Sequence, residues 1–230
     1  PQILRLIERK RLKASLSPYV SPALFKKMLD QDIKPEVLDR GEYRLICVMF
    51  ADIRDSVSIT RFAKSHFRKK HHGSEKGSER VLAMLNSYFE EAVSIIHRHD
   101  GILQTFMGDG LMAYFGAPVD IVNPCENAWQ SAIAMLEAVN RLNQKLNQDE
   151  DWQALAVQLG HAPVKIGIGL HIGVALMGNC GARNRYQYTP IGNVVNVAAR
   201  LESHSKELGC DIVISSAFRP IASNPAALEA

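Results

Sequence analysis

The chain lacks most of what would mark it for a membrane, a metal cluster or a nucleic acid. Its 230 residues hold four cysteines, Cys47, Cys125, Cys180 and Cys210, scattered with no C-x-x-C pair. That spacing signals neither a zinc site nor a disulfide framework, and free thiols fit a reducing compartment. No apolar run reaches the ~20 residues that a bilayer-spanning helix needs, and no signal-peptide pattern opens the sequence. A formal net charge of +3 is mild. The longest basic run, Arg68-Lys69-Lys70-His71-His72, lies in a polar stretch rather than on a clustered basic face, so no nucleic-acid partner is expected. The chain begins at Pro1 and reads as a piece of a longer protein, a cytoplasmic domain whose parent can still carry a membrane anchor.

What is present is ordinary globular composition, 47% hydrophobic and 22% charged, enough for one large domain plus an appendage. Residues 1–42 read as a helical segment broken at Ser17-Pro18 and Ser21-Pro22. It is either a packed helix of the same domain or a connector from an upstream sensor. The domain proper is expected over residues 43–230. Arg44 to Asp52 is a nearly continuous apolar run, the pattern of a buried central strand. Lys64 to Ser78, with Gly73 and Gly77, reads as a mobile loop. Ser78 to His99 carries Val81, Leu85, Phe89, Val93 and Ile96 at helical spacing. Ile102–Phe106 and Leu111–Phe115 flank Gly108-Asp109-Gly110 as a hairpin.

Asn127 to Leu146 is a second long helix. A loop leads to a strand region over Val164–Leu176, broken by Gly167, Gly169 and Gly173. A polar, turn-rich Gly178–Tyr186 follows, then a helix over Asn193–His204 and a last strand at Asp211–Ser215. This order predicts an α/β (α+β sandwich) fold with a ferredoxin-like β-α-β-β-α-β core, its mainly antiparallel sheet covered by helices.

Two acids stand out. Asp52 closes the central apolar strand, and Asp109 sits at the tip of a hairpin expected beside it. Taken singly, Asp52 could cap the following helix and Asp109 could serve only the turn. Taken together they can hold divalent cations, since magnesium asks for few carboxylates, several waters and substrate phosphate oxygens. Asn196 and Arg200 are four apart on one helix, hence on one face. The Arg fork suits phosphate oxygens; its alternative is a surface ion pair with Glu202 or Asp211.

Phe50-Ala51-Asp52-Ile53-Arg54, Phe106-Met107-Gly108-Asp109-Gly110-Leu111-Met112-Ala113 and Tyr188-Thr189-Pro190-Ile191-Gly192-Asn193-Val194-Val195-Asn196-Val197-Ala198-Ala199-Arg200-Leu201-Glu202 resemble, in order, three motifs of class III adenylate and guanylate cyclase domains. Gly169-Leu170-His171-Ile172-Gly173 fits the strand between the last two. The resemblance covers about residues 44–216. It implies formation of a 3′,5′-cyclic nucleotide and pyrophosphate from a nucleoside triphosphate by two-metal catalysis. Asp52, Ile53 and Asp109 would hold two divalent ions, Mg2+ or Mn2+. The backbone at Ile53, Arg54, Asp55 and Ser56 would receive the triphosphate. Asn196 would position the ribose and Arg200 would meet charge at the α-phosphate. The site would be shared across a head-to-tail homodimer, with Gly178–Tyr186 in the place of an interface arm and a sensor domain upstream.

The purine-reading positions of the family fall on Thr105 and Thr189. Thr105 replaces the usual Lys or Glu, while Thr189 resembles a bacterial adenylate cyclase subgroup, so ATP is the expected substrate. A guanylate or dual-specificity cyclase, and a degenerate domain that only binds nucleotide or dimerises, stay as alternatives. Asp55 and Ser56 stand where the family has Gly and Phe. Asp55 would either repel the triphosphate or point away. No candidate for the family's later phosphate-binding Lys follows Ser215, so the C-terminal end looks incomplete.

Overall fold

A computed structural model describes residues 40–71, 74–182 and 185–218. The expected connector therefore lies, up to residue 39, outside the described residues, as does the chain after residue 218. The elements run β1 (Glu42–Ile53), α1 (Ser56–His71), α2 (Ser74–Arg98), β2 (Ile102–Met107), β3 (Gly110–Phe115), α3 (Pro124–Leu146), α4 (Glu150–Leu159), β4 (Ile166–Ala182), β5 (Arg185–Ile191), α5 (Asn193–Leu208) and β6 (Ile212–Ile214). The sheet order is β2-β3-β1-β4-β5, with β6 parallel to β4 and every other pair antiparallel. The β2-β3-β1-β4 portion is the predicted ferredoxin-like arrangement.

β1 is central because both of its faces are apolar. Cys47, Met49, Ala51 and Ile53 face a large core filled from α1, α2, α3 and α4. Ile46 and Val48 face a smaller core with Met112, Tyr114, Tyr188, Val194 and Ala198, which α5 covers. Alternation along a strand sends successive side chains to opposite faces, so a run apolar at every position asks for cover on both sides.

The glycines of β4 are contact points rather than interruptions. A Cβ on Gly169 would lie 2.2 Å from the Glu202 main-chain N and 2.4 Å from the Ala198 carbonyl oxygen. Only a residue without one lets α5 lie directly on the strand.

Four expectations need correction. The segment Lys64–Ser78 is not a loop: α1 runs to His71 and α2 starts at Ser74. Gly77 is buried inside α2, where packing overrides its low helix propensity. The buried stripe of α2 keeps the expected Val81 and Ile96 but runs through Met84, Tyr88, Ala92 and Ile95, with Leu85, Phe89 and Val93 only partly buried beside it. The supposed loop before β4 holds α4, whose Asp149 side chain accepts from Asp151 N at 2.9 Å. Gly160 closes that helix at φ +73, the usual left-handed stop. Finally, Gly178–Ala182 extends β4 and pairs with β5, so a polar stretch read as turn-rich is mostly strand.

Candidate active site

The β1–β3 register ends at Ala51 opposite Leu111, which sets the hairpin turn at Gly108 and Asp109 against the end of β1. Asp52 and Asp109 are thereby brought together. A Cβ on Gly110 would lie 2.7 Å from Asp52 Oδ1, so the glycine after the hairpin acid leaves room for the strand acid. Burial first, and then the neighbouring Asp109 charge, push the Asp52 carboxyl up to about 6, against a weaker opposing pull from the Ile53 N–H. Oδ2 of Asp109 is buried with no hydrogen-bond partner among the described residues. Tyr88, fully buried below, has its hydroxyl pushed up by burial and by Asp52, Asp109 and Glu202. The centre thus holds more negative charge than its own donors satisfy, the condition a bound cation would relieve.

The turn between β1 and α1 adds amides. Asp55 is the residue before α1 and sits at φ +55, a left-handed conformation that suits Gly best and Asp or Asn next. Its carbonyl accepts from Ile59 N at 3.0 Å, which starts the helix. The first-turn amides beginning at Ser56 then lack intrahelical partners, and α1 has no acid in its first turn. Of the amides expected to receive phosphate, that of Arg54 is already engaged, donating to the Lys165 carbonyl at 2.7 Å. The Arg54 guanidinium is turned aside as well, donating to Ser205 Oγ at 3.0 Å and the Cys210 carbonyl at 2.5 Å. The Asp55 carboxylate also points away, to Lys206 Nζ at 3.0 Å and His161 Nε2 at 3.4 Å. Lys206 and His161 were not legible as site neighbours, because nothing in their local sequence announces contact with residue 55.

Two clefts meet at this turn. One, of about 650 Å³, is lined by Ile53, Ser56, Thr60, Lys64, Gly108 and Asp109 among others. The other, of about 410 Å³, includes Asp52, Asp55, Ser56, Glu202 and Lys206. Neither is lined by Asn196 or Arg200. Those two are exposed on α5 beside buried Val194 and Ala198, and Arg200 makes no ion pair with a described residue. Asp211, one of its candidate partners, lies 3.4 Å from Lys165 instead. Within one chain the structure therefore unites Asp52, Ile53, Asp55, Ser56 and Asp109 and leaves Asn196 and Arg200 elsewhere.

The two purine-reading positions have separate partners. The Thr105 hydroxyl donates to the Phe106 carbonyl at 3.1 Å. Thr189 Oγ1 accepts from Gln104 Nε2 at 3.1 Å, a partner the sequence gave no reason to single out. Among the described residues no cluster of three or more His, Cys, Asp or Glu is arranged to hold a metal, and no helix is long and apolar enough to cross a membrane.

The profile of the family described as "Adenylate and Guanylate cyclase catalytic domain" matches residues 38–219. Adenylate cyclase 1 of Rhizobium meliloti (strain 1021) is 31% identical over 172 residues, covering 75% of this chain and 22% of that protein. An adenylate cyclase of Anabaena cylindrica is 26% identical over 206 residues, covering 90% of this chain and 36% of that protein. This chain thus spans about a fifth to a third of the curated relatives it matches. Among solved structures, the guanylyl cyclase Cya2 is 29% identical with a TM-score of 0.55, over 71% of this chain and 72% of that one. A bacterial light-regulated adenylyl cyclase shares the fold at 22% identity and a TM-score of 0.63, over 94% of this chain and 55% of that one.

Proposed function

Because the chain belongs to the family of adenylate and guanylate cyclase catalytic domains, and is a nucleotide cyclase domain, we propose that it forms 3′,5′-cyclic AMP and pyrophosphate from ATP at sites shared between two copies. The observation that carries this reading is the pairing of Asp52 with Asp109, where one buried carboxylate oxygen has no partner and burial holds the other acid near 6. Such a pair suits divalent cations, Mg2+ or Mn2+, held by Asp52, Asp109 and the main chain of Ile53. When bound, ions of this kind activate an attacking oxygen and neutralise a leaving phosphate.

The chain's own residues supply the positioning. The first-turn amides at Ser56 and onward donate to triphosphate oxygens, helped by the positive end of α1. Asn196 holds the ribose so that its 3′-oxygen faces the α-phosphorus. A new bond forms from that oxygen to the α-phosphorus, the bond to the pyrophosphate oxygen breaks, and the hydroxyl proton leaves to solvent. Arg200 faces the charge that builds on the α-phosphate oxygens, a stabilisation that costs no reorganisation at the moment of reaction. Asn196 and Arg200 line neither cleft of their own chain, which supports their service to a partner's acids in a head-to-tail homodimer. Thr189 lies toward the purine. The substrate assignment rests on Thr189 and on the adenylate cyclases among the relatives. The parent is read as longer, with a sensor domain outside residues 1–230.

The test measures cyclic AMP and cyclic GMP from ATP and GTP, with magnesium and with manganese, against Asp52→Ala as blank. Cyclic AMP above the blank supports the proposal. Cyclic GMP alone would keep the enzyme and overturn the substrate. No product from either would leave a nucleotide-binding or dimerising signalling domain.

A further inference from the structure

β2 and β5 form opposite edges of the sheet, yet they touch through side chains. β5 curls over the face that α5 covers: Tyr188 packs with Ile102, Met112 and Tyr114, and the Tyr114 hydroxyl donates to the Tyr188 carbonyl at 3.3 Å. At this crossing β2 carries an irregularity. Leu103 pairs with Ala113 and Thr105 with Met112, so Gln104 is an extra residue with no partner of its own on β3. A bulge of this kind re-aims a side chain, and here it sends the Gln104 amide across to β5. Nε2 donates to Thr189 Oγ1 at 3.1 Å, and the Gln104 carbonyl accepts from Gln187 Nε2 at 3.3 Å. Gln104 is only 7% exposed, and its amide oxygen has no partner among the described residues.

The geometry points to Gln104, rather than Thr105, as the residue that reads the purine together with Thr189. This rests on the reading above that Thr189 lies toward the base. Hydrogen-bond polarity sets the choice of base. One N–H of the Gln104 NH2 goes to Thr189, and the amide oxygen beside it is offered as an acceptor. Thr189 accepts from Gln104, so its hydroxyl hydrogen is free to donate. Acceptor beside donor complements the edge of adenine, whose N6 amino group donates and whose N1 accepts. Guanine presents the reverse, O6 accepting and N1–H donating, and would require the amide to flip and the hydroxyl to turn. Selection by polarity leaves the wrong base with unpaired groups, the kind of mismatch that discriminates well. Thr105, its hydroxyl spent on the neighbouring carbonyl, has no such part.

The test compares wild type with Gln104→Glu, Thr189→Ala and Thr105→Ala. The readouts are kcat/KM for ATP and GTP and, in parallel, equilibrium binding of 2′,3′-dideoxy-ATP and 2′,3′-dideoxy-GTP, which cannot cyclise. Glutamate only accepts, and guanine offers two adjacent donors. Gln104→Glu should therefore move the ATP-to-GTP ratio toward GTP at least about tenfold. Thr189→Ala should bring it toward unity, and Thr105→Ala should leave it within about twofold. Thermal melts identify a variant that fails to fold, and the remaining variants then decide. A ratio moved by Thr105→Ala, or unmoved by both Gln104→Glu and Thr189→Ala, overturns the inference. If wild type binds the dideoxynucleotides but forms no cyclic product, the cyclase reading fails and the same binding ratios still judge Gln104. Binding of neither nucleotide overturns both.

Discussion

Lys206 Nζ donates to Asp55 Oδ1 at 3.0 Å, tying the turn after β1 to the last turns of the helix that carries Asn196 and Arg200. Asp55 therefore stands in a left-handed backbone position with its charge directed away from the amides of α1. The same residue answers two demands, one for conformation and one for a cross-link.

These demands can be separated by substitution at residue 55. Glycine removes the left-handed cost and the ion pair together. An exposed pair is worth about 0–1 kcal/mol, so Asp55→Gly is expected within about 1 kcal/mol of wild type. Alanine keeps the conformational cost and loses the pair, so Asp55→Ala should be destabilised by about 1 kcal/mol. Valine, β-branched, should be worst. Urea midpoints on the four proteins check the order; a valine variant as stable as the glycine one would refute it.

The Asp52 carboxyl gives a pH dependence with a definite sign. Its proton is held up to about pH 6 in the folded metal-free protein, against an ordinary value of 3.8. The folded state binds more protons across that window, so stability falls as pH rises from about 4 to about 6 and stays low above it. Asp52→Asn should abolish this dependence and, allowing for the half-exposed position, raise stability at pH 7.5 by about 1 kcal/mol while removing cyclase activity. Mg2+ or Mn2+ should raise the melting temperature of wild type but not of the variant. Matching pH profiles for the two proteins would count against the paired-acid centre.

Shared sites make a prediction about mixtures. Asp52→Ala and Arg200→Ala chains should each be inactive alone. Mixed in equal amounts, half of the dimers are mixed and each has one intact site of two, so about a quarter of wild-type activity should return. Absence of any recovery, with exchange of chains demonstrated by labelled subunits, would exclude the shared arrangement.

Gly169 tests how α5 is seated. A Cβ there would meet the backbone of the helix at 2.2 Å, and neither strand nor helix can move without disturbing its neighbours. Gly169→Ala should cost about 3 kcal/mol, seen as a lower urea midpoint. A fully stable alanine variant would mean that α5 sits farther from β4.

How much of this was legible in the sequence follows from the range of each cause. β1, the β2–β3 hairpin, α3 and α5 are written in apolar periodicity and local turn chemistry, and so were their acids Asp52 and Asp109. α4 was readable in principle from Asp149 as cap, Trp152 and Leu155 as a buried pair and Gly160 as stop, but its polar first turn looked like a loop. The second half of α1 reads as a loop because a cationic helix exterior and a polar linker share a composition. The direction taken by Asp55, the engagement of Arg54 with Ser205 and Cys210, and the swap of Gln104 for Thr105 depend on residues dozens of positions away. No local pattern reports a bulge that turns one side chain across a sheet.

β4 hands its partners over along its length. Gly167 pairs with Asp52 and Met177 with Glu42 on one side, while Leu176 to Ala182 pairs with Ile191 to Arg185 on the other. At ~3.3 Å per residue its seventeen residues trace a contour of about 50 Å. Ala182, paired with Arg185, and Gly167, opposite Asp52, thus belong to one continuous strand. A pull at the β5 end of this strand and a shift at the Asp52 end would act on the same backbone.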